Sequence, residues 1–194
     1  MDVTILCGGY GTRLAGLWDG PKCLVRLGDG RPLIESLVNK ALMLKPRKVF
    51  LLLGYRASEV VAWREGCCPH RDLVPIIETV PEGTAAAVRK ALPLLRAPLL
   101  ILNGDTLPRY ELSDLTKAWH AAHPDLLVAW CGALMAGAFI LGAESIERLG
   151  RSTEKNLERW MRLEAFGNVV RVGVNGFLDV GTPHGFQLAK EWKG

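Results

Sequence analysis

The chain has 194 residues, 49% of them apolar, and 24 Lys and Arg against 20 Asp and Glu for a formal charge of +4. That composition excludes a disordered chain, and no apolar run reaches the 18 residues a membrane span needs. The length fits one domain over residues 1–194, with enough buried surface to need no disulfide staples. The cations are scattered among acids rather than gathered into a stripe, which argues against a nucleic-acid partner and for a small anion. An acid at Asp2 and a strand starting near residue 3 leave no secretion leader, so the expected location is cytoplasmic. Cys7, Cys23, Cys67, Cys68 and Cys131 lack CxxC spacing and read as free thiols in a reducing compartment.

Short apolar runs then alternate with helical patterns. VTILC (3–7) is a strand. Apolar residues recur at helical spacing over 33–44, behind Pro32, a good first-turn residue. The basic run 45–48 reads as a solvated turn. KVFLLLG (48–54) is apolar throughout, as a parallel strand covered on both faces should be. Ser58 reads as the N-cap of a helix over 59–64. LVPIIE (73–78) is a strand whose Pro75 marks an edge or a bulge. A helix is expected over 84–95, a strand in LLILNGD (99–105), a helix over 113–123, and strands at 126–130 and 136–142. Residues 144–164 are charged and helical, NVVRVGV (168–174) and FLDVG (177–181) are late strands, and a last helix starts near Pro183. The six tryptophans read as core, and the oligomeric state stays open. This alternation predicts a Rossmann-like, three-layer α/β/α fold around a mostly parallel sheet, with ligands at the carboxyl ends of its strands.

The segment CGGYGTRL (7–14) lies where the first strand ends. Glycines there permit turns closed to other residues and let backbone N–H groups converge on an anion. Thr12 adds a hydroxyl, and Arg13 a planar cation matched to phosphate oxygens. The pattern is neither GxxxxGK[ST] nor GxGxxG. Lys22, in PKCLVRLGDGRPLIE (21–35), supplies a second cation at short range.

Together these segments resemble the signature of the sugar-1-phosphate nucleotidyltransferases, and three later segments match in order: ETVPEGTAAAVRKAL (78–92), LLILNGDT (99–106) and FLDVGTPHGF (177–186). The resemblance implies the nucleotide-diphospho-sugar transferase fold and a reaction between a nucleoside triphosphate and a sugar 1-phosphate that gives an NDP-sugar and pyrophosphate. It further implies that Gly8, Gly9, Gly11 and Thr12 cradle the triphosphate, that Arg13 and Lys22 are catalytic and hold its phosphates, that Gly83 and Thr84 pass the nucleobase, and that Asp105 and Asp179 bind Mg2+. GGYGTRL with its tyrosine is similar to the mannose-1-phosphate and heptose-1-phosphate guanylyltransferase branch, which implies GTP; UTP, CTP, ATP and dTTP remain alternatives. Glu78 and Glu82 are left as surface acids.

The chain also departs from the family. The sugar-side hairpin and EKP-type element are expected to be cut down to the short bridge 130–135, with Met135-Ala136-Gly137 in place of N-A-G. A catalytically inactive sensor of nucleotide or sugar phosphate is therefore the competing reading. A molybdopterin-type enzyme is disfavoured, because its loop would read GG-x-S-x-R-M-G.

Overall fold

The computed structural model describes residues 1–163 and 167–193. A seven-stranded sheet runs in the order β3-β2-β1-β4-β7-β6-β8, built from β1 (Asp2–Cys7), β2 (Val49–Leu53), β3 (Leu73–Ile77), β4 (Leu99–Asn103), β6 (Leu126–Cys131), β7 (Leu134–Leu141) and β8 (Val169–Gly173). β5 (Thr106–Pro108) and β9 (Phe177–Asp179) form a separate antiparallel pair. α1 (Leu33–Met43), α2 (Ala57–Cys67), α3 (Thr84–Ala91), α4 (Leu112–Ala122), α5 (Ala143–Arg151), α6 (Leu157–Leu163) and α7 (Pro183–Glu191) connect the strands.

β1, β2 and β4 carry buried side chains on both faces, and two buried apolar clusters lie on the two sides of the sheet. Helices cover each cluster, giving three layers. In α1, Leu33, Ile34, Leu37, Val38 and Ala41 are buried, the i, i+4, i+8 stripe of a helix laid on a sheet. β3 is the sheet edge on its side, where Pro75 is tolerated because it lacks a ladder N–H. Among the described residues no helix is long and apolar enough to cross a membrane.

Several expectations need correction. β7 runs antiparallel to β4 and β6, so the sheet is mixed at that end. The cause is the connection: β6 and β7 are joined through Gly132 and Ala133 alone, too short for a parallel crossover. Gly132 has φ 60°, the positive value a type II′ hairpin turn requires at its first central position. Ser58 is not an N-cap. α2 begins at Ala57 behind Arg56, whose guanidinium bonds the first-turn carboxylate of Glu59 and, at 2.6 Å, Asp19. The helix over 84–95 ends at Ala91 in a 3-10 turn, Leu92–Leu94, because Pro93 cannot continue an α-helix. The charged stretch 144–164 is two helices broken at 152–156, and its last residue lies outside the described residues.

The basic run 45–48 is not wholly solvated. Asp2 is fully buried, and Arg47 clamps it with both guanidinium arms, Nε donating to Oδ1 at 2.8 Å, while the Arg96 N–H donates to Oδ2 at 2.9 Å. Removing one member of such a pair strands the other charge in the core. Arg47→Ala is expected to lower unfolding stability by about 3 kcal/mol, read as a drop in the urea midpoint with an unchanged slope.

Candidate active site

β1 delivers the chain to the glycine turn at the carboxyl edge of the sheet. The Gly8 carbonyl accepts from the Tyr55 N–H at 3.1 Å, and a Cβ on Gly54 would stand 2.9 Å from that carbonyl. The ends of β1 and β2 therefore meet backbone to backbone, as the sequence GG…G requires. Gly11 takes φ 69°, and a Cβ there would also press on the Lys22 side chain at 3.0 Å. Buried Leu14 anchors the short turn Thr12–Leu14, leaving Thr12 and Arg13 exposed. The N–H groups from Gly9 to Arg13 find no backbone acceptor among the described residues. They form a row of unused donors under an open surface, the arrangement an anion fills.

The two predicted acids lie far apart along the chain, at positions 105 and 179. Asp105 follows Gly104, whose missing side chain lets the backbone pass over β1: a Cβ would lie 2.5 Å from the Leu6 carbonyl. Asp179 ends β9, and the pairing of Thr106 with Asp179 in the small sheet places it beside Asp105. Lys22 ion-pairs with Asp105, and Arg13 reaches Asp179 at 3.5 Å and Asp105 at 4.0 Å. An atom placed as a Cβ on Gly181 would meet Asp105 Oδ2 at 2.7 Å, Asp179 Oδ1 at 3.0 Å and the Arg13 guanidinium at 3.0 Å. Both carboxylates thus face one small space that glycine leaves free. Loss of hydration, then the neighbouring Asp105 charge, push the Asp179 carboxyl above the usual range, against the pull of Arg13.

A pair of carboxylates destabilised by each other suits a divalent cation. Among the described residues no group of three or more His, Cys, Asp or Glu is placed to hold a metal. A cation here would complete its shell with ligand oxygens and water. Beneath the loop, Cys7 and Cys23 are buried; their mutual hydrogen bond, then burial, push the Cys7 thiol well up, so it is an inert neutral group. All five cysteines are free thiols.

A cleft of about 280 Å³ runs from Gly8, Gly9, Lys22 and Asp105 past Leu6, Leu52 and Ala87 to Glu78, Pro81, Gly83 and Thr84. Gly83 has φ 113°, and a Cβ there would lie 2.5 Å from the Lys155 carbonyl. The expected close approach at this glycine is therefore made first by the chain itself. The same carbonyl accepts from the Ala85 N–H at 2.9 Å, and the Thr84 hydroxyl accepts from the Leu157 N–H at 2.9 Å. Thr84 caps α6 rather than its own helix. The break at 152–156 exists because this segment docks on the Gly83–Thr84 turn, and it sets Asn156, Leu157 and Glu158 on the far lip of the cleft.

All ten residues singled out from the sequence lie along this edge. Eight cluster around the loop and the paired acids, while Gly83 and Thr84 line the other end of the cleft. Sequence reasoning missed Glu78, which lines the cleft with its side chain only 7% exposed, and the lip at 156–158. A local signal for the lip existed: Asn156 Oδ1 accepts from the Arg159 N–H at 2.8 Å, the spacing of a helix N-cap.

The MobA-like NTP transferase domain family matches residues 3–169. The bifunctional protein GlmU of Picosynechococcus sp. is 38% identical over 106 residues, which is 53% of this chain and 22% of that protein. Its counterpart from Albidiferax ferrireducens is 34% identical over 132 residues, 66% of this chain and 28% of that protein. The chain spans about a quarter of the length of these curated relatives. HddC from Yersinia pseudotuberculosis complexed with GMP-PN superposes with a TM-score of 0.82 at 22% identity, covering 98% of both chains. UDP-glucose pyrophosphorylase complexed with UDP-glucose gives 0.81 at 13% identity, over 98% of this chain and 97% of that one. These likenesses show a common fold. Since the family match runs from β1 to the start of β8, well beyond the glycine loop, the chain belongs to the MobA-like NTP transferase domain family.

Proposed function

We propose that residues 1–194 form one nucleotidyltransferase domain that joins GTP to a sugar 1-phosphate and releases pyrophosphate. The observation that carries this reading is the convergence of Arg13, Lys22, Asp105 and Asp179 beside a loop of unused N–H donors. A sugar phosphate oxygen attacks the α-phosphorus in line, and the bond to the β-phosphate breaks. Two polyanions must meet, so the work is positioning and charge stabilisation. The N–H groups of Gly9, Gly11 and Thr12, with the backbone at Gly8, receive the triphosphate. Arg13, on the exposed side, holds the departing phosphates. Lys22, lying across the loop, meets charge at the reacting centre. Asp105 and Asp179 are suited to hold Mg2+, which when bound neutralises phosphate charge. Retention of both cations and both acids favours catalysis over a sensor role. The Tyr10-containing loop supports GTP, as does the GMP-PN complex of HddC. Free thiols fit a cytoplasmic setting.

The test is pyrophosphate release with magnesium, crossing five nucleoside triphosphates with mannose, glucose and heptose 1-phosphates. Release is expected with GTP and one of the sugars, and it should stop when the metal is chelated. Tight binding of a triphosphate with silence across the panel would favour the sensor.

A further inference from the structure

Trp130 of β6 packs against the apolar cluster that holds Leu99, Ile101 and Val128. Strand alternation puts Asn103 on that same face of the sheet. α6 crosses this face. Its Glu158 accepts from Asn103 Nδ2 at 3.4 Å. One turn on, the Arg162 guanidinium lies over the Trp130 ring, 5.6 Å from its centroid. Arg171 of β8 lies over the same ring at 4.9 Å. The ring orients both cations without neutralising them. Arg151 and Arg159 nearby are paired with Glu147 and Glu154. Among the described residues, neither Arg162 nor Arg171 has a carboxylate partner, and both are exposed. Two like charges gathered on one ring repel, and an anion that reaches both removes the repulsion.

The sheet sets the distance. β6 lies two strand spacings from β4, about 10 Å, and Asp105 follows β4. The strand returning from the hairpin stands against the same turn, since a Cβ on Gly137 would meet the Thr106 side chain at 2.8 Å. The cleft reaches from Asp105 toward β3, in the opposite direction. The side over β7 and β6 is therefore left to the acceptor, and Trp130 stands about a sugar's breadth from Asp105. An open hollow lined by Asn156, Glu158, Arg159 and Arg162 adjoins the cleft and shares Asn156 and Glu158 with it.

We infer that the acceptor sugar carries a second anionic group, a phosphate or carboxylate remote from its 1-phosphate, and that Arg162 and Arg171, presented by Trp130, bind it; this deepens the nucleotidyltransferase reading and rests on it. A guanidinium offers a planar fork of donors and no acceptor, which matches the paired oxygens of an anion. A sugar hydroxyl fills one donor and leaves the charge uncompensated.

Pyrophosphate release by the full chain, with magnesium and each of the five nucleoside triphosphates, tests the assignment. The acceptors are matched sets built on glucose and on mannose: the 1-phosphate, the 1,6-bisphosphate and the uronic acid 1-phosphate. Wild type is expected to show kcat/KM roughly 10-fold higher for a charged acceptor than for its plain 1-phosphate. The bisphosphate arm against the uronic arm names the group. Arg162→Gln combined with Arg171→Gln is expected to bring that ratio toward unity, through KM rather than kcat. Equal kcat/KM across the sets in wild type, or a preference that survives in the double variant, overturns the inference. If the variant melts early, the wild-type comparison decides alone. Equilibrium binding of the same sugars separates this inference from the reading beneath it. Turnover with no preference for the charged acceptors keeps the reaction and discards the second anion. Charge-selective binding that the double variant loses, without turnover, does the reverse, and equal binding without turnover discards both.

Discussion

Asp105→Ala and Lys22→Ala are each expected to lower turnover by about 10³-fold or more while the protein stays folded. The two side chains form one ion pair at the point where the glycine loop meets the carboxylates, and both are largely covered, at 19% and 17% exposure. Removing Asp105 takes away one of the two acids facing the space over Gly181. Removing Lys22 takes away the cation that lies across the loop. Each single change also leaves a half-buried partner charge, so some stability is lost with the activity. The combined change Lys22→Met with Asp105→Asn leaves no stranded charge. It should melt closer to wild type than either single variant and remain inactive. Pyrophosphate release beside a circular-dichroism melt separates the two effects, and full activity in either single variant would remove these residues from the reaction.

Gly185→Ala should cost as much stability as Arg47→Ala, although this residue touches none of the reacting groups. An added Cβ would lie 1.8 Å from the Asp179 carbonyl oxygen, a backbone atom with nowhere to go. The Thr182 hydroxyl donates to that same carbonyl at 2.9 Å and accepts from the Gly185 N–H at 3.1 Å, so α7 is seated on the end of β9. Alanine would lever the helix off the strand that carries Asp179. A loss of about 3 kcal/mol is expected from the overpacking, and an activity loss of about 10²-fold from even a 1 Å shift of the carboxylate. A thermal melt and a pyrophosphate-release assay on the same preparation check both parts. An unchanged melt would mean that β9 and α7 separate more freely than their contacts imply.

Much of this site was legible because its parts are local. The glycine turn announces itself by following a mostly apolar strand, and the alanine-rich α3 opens on a Gly-Thr pair. The paired acids were readable as residues, but only the resemblance brought them together, since no local pattern links positions 105 and 179. β5 went unseen because three residues directly after the Gly104–Asp105 turn are too few to show a period. The direction of β7 could not be read, because strand direction is set by loop length, and a hairpin closed by Gly132 and Ala133 looks from its flanks like two separate apolar runs. Ser58 is a good cap by type; the helix starts one residue earlier, where Arg56 has turned to meet Glu59 and Asp19. Glu78 could not be told from a surface acid, because its burial depends on Lys90 folding back from the next helix.

The small sheet of β5 and β9 has a further consequence for how the protein is made. A chain synthesised from its amino terminus has its glycine loop, its cations and Asp105 in place while the partner strand of β5 is still unmade. Until residues 177–179 emerge and pair with 106–108, β5 is an open edge and the reaction centre has one acid. On the proposed reading, the second carboxylate joins the first only when this three-residue ladder closes.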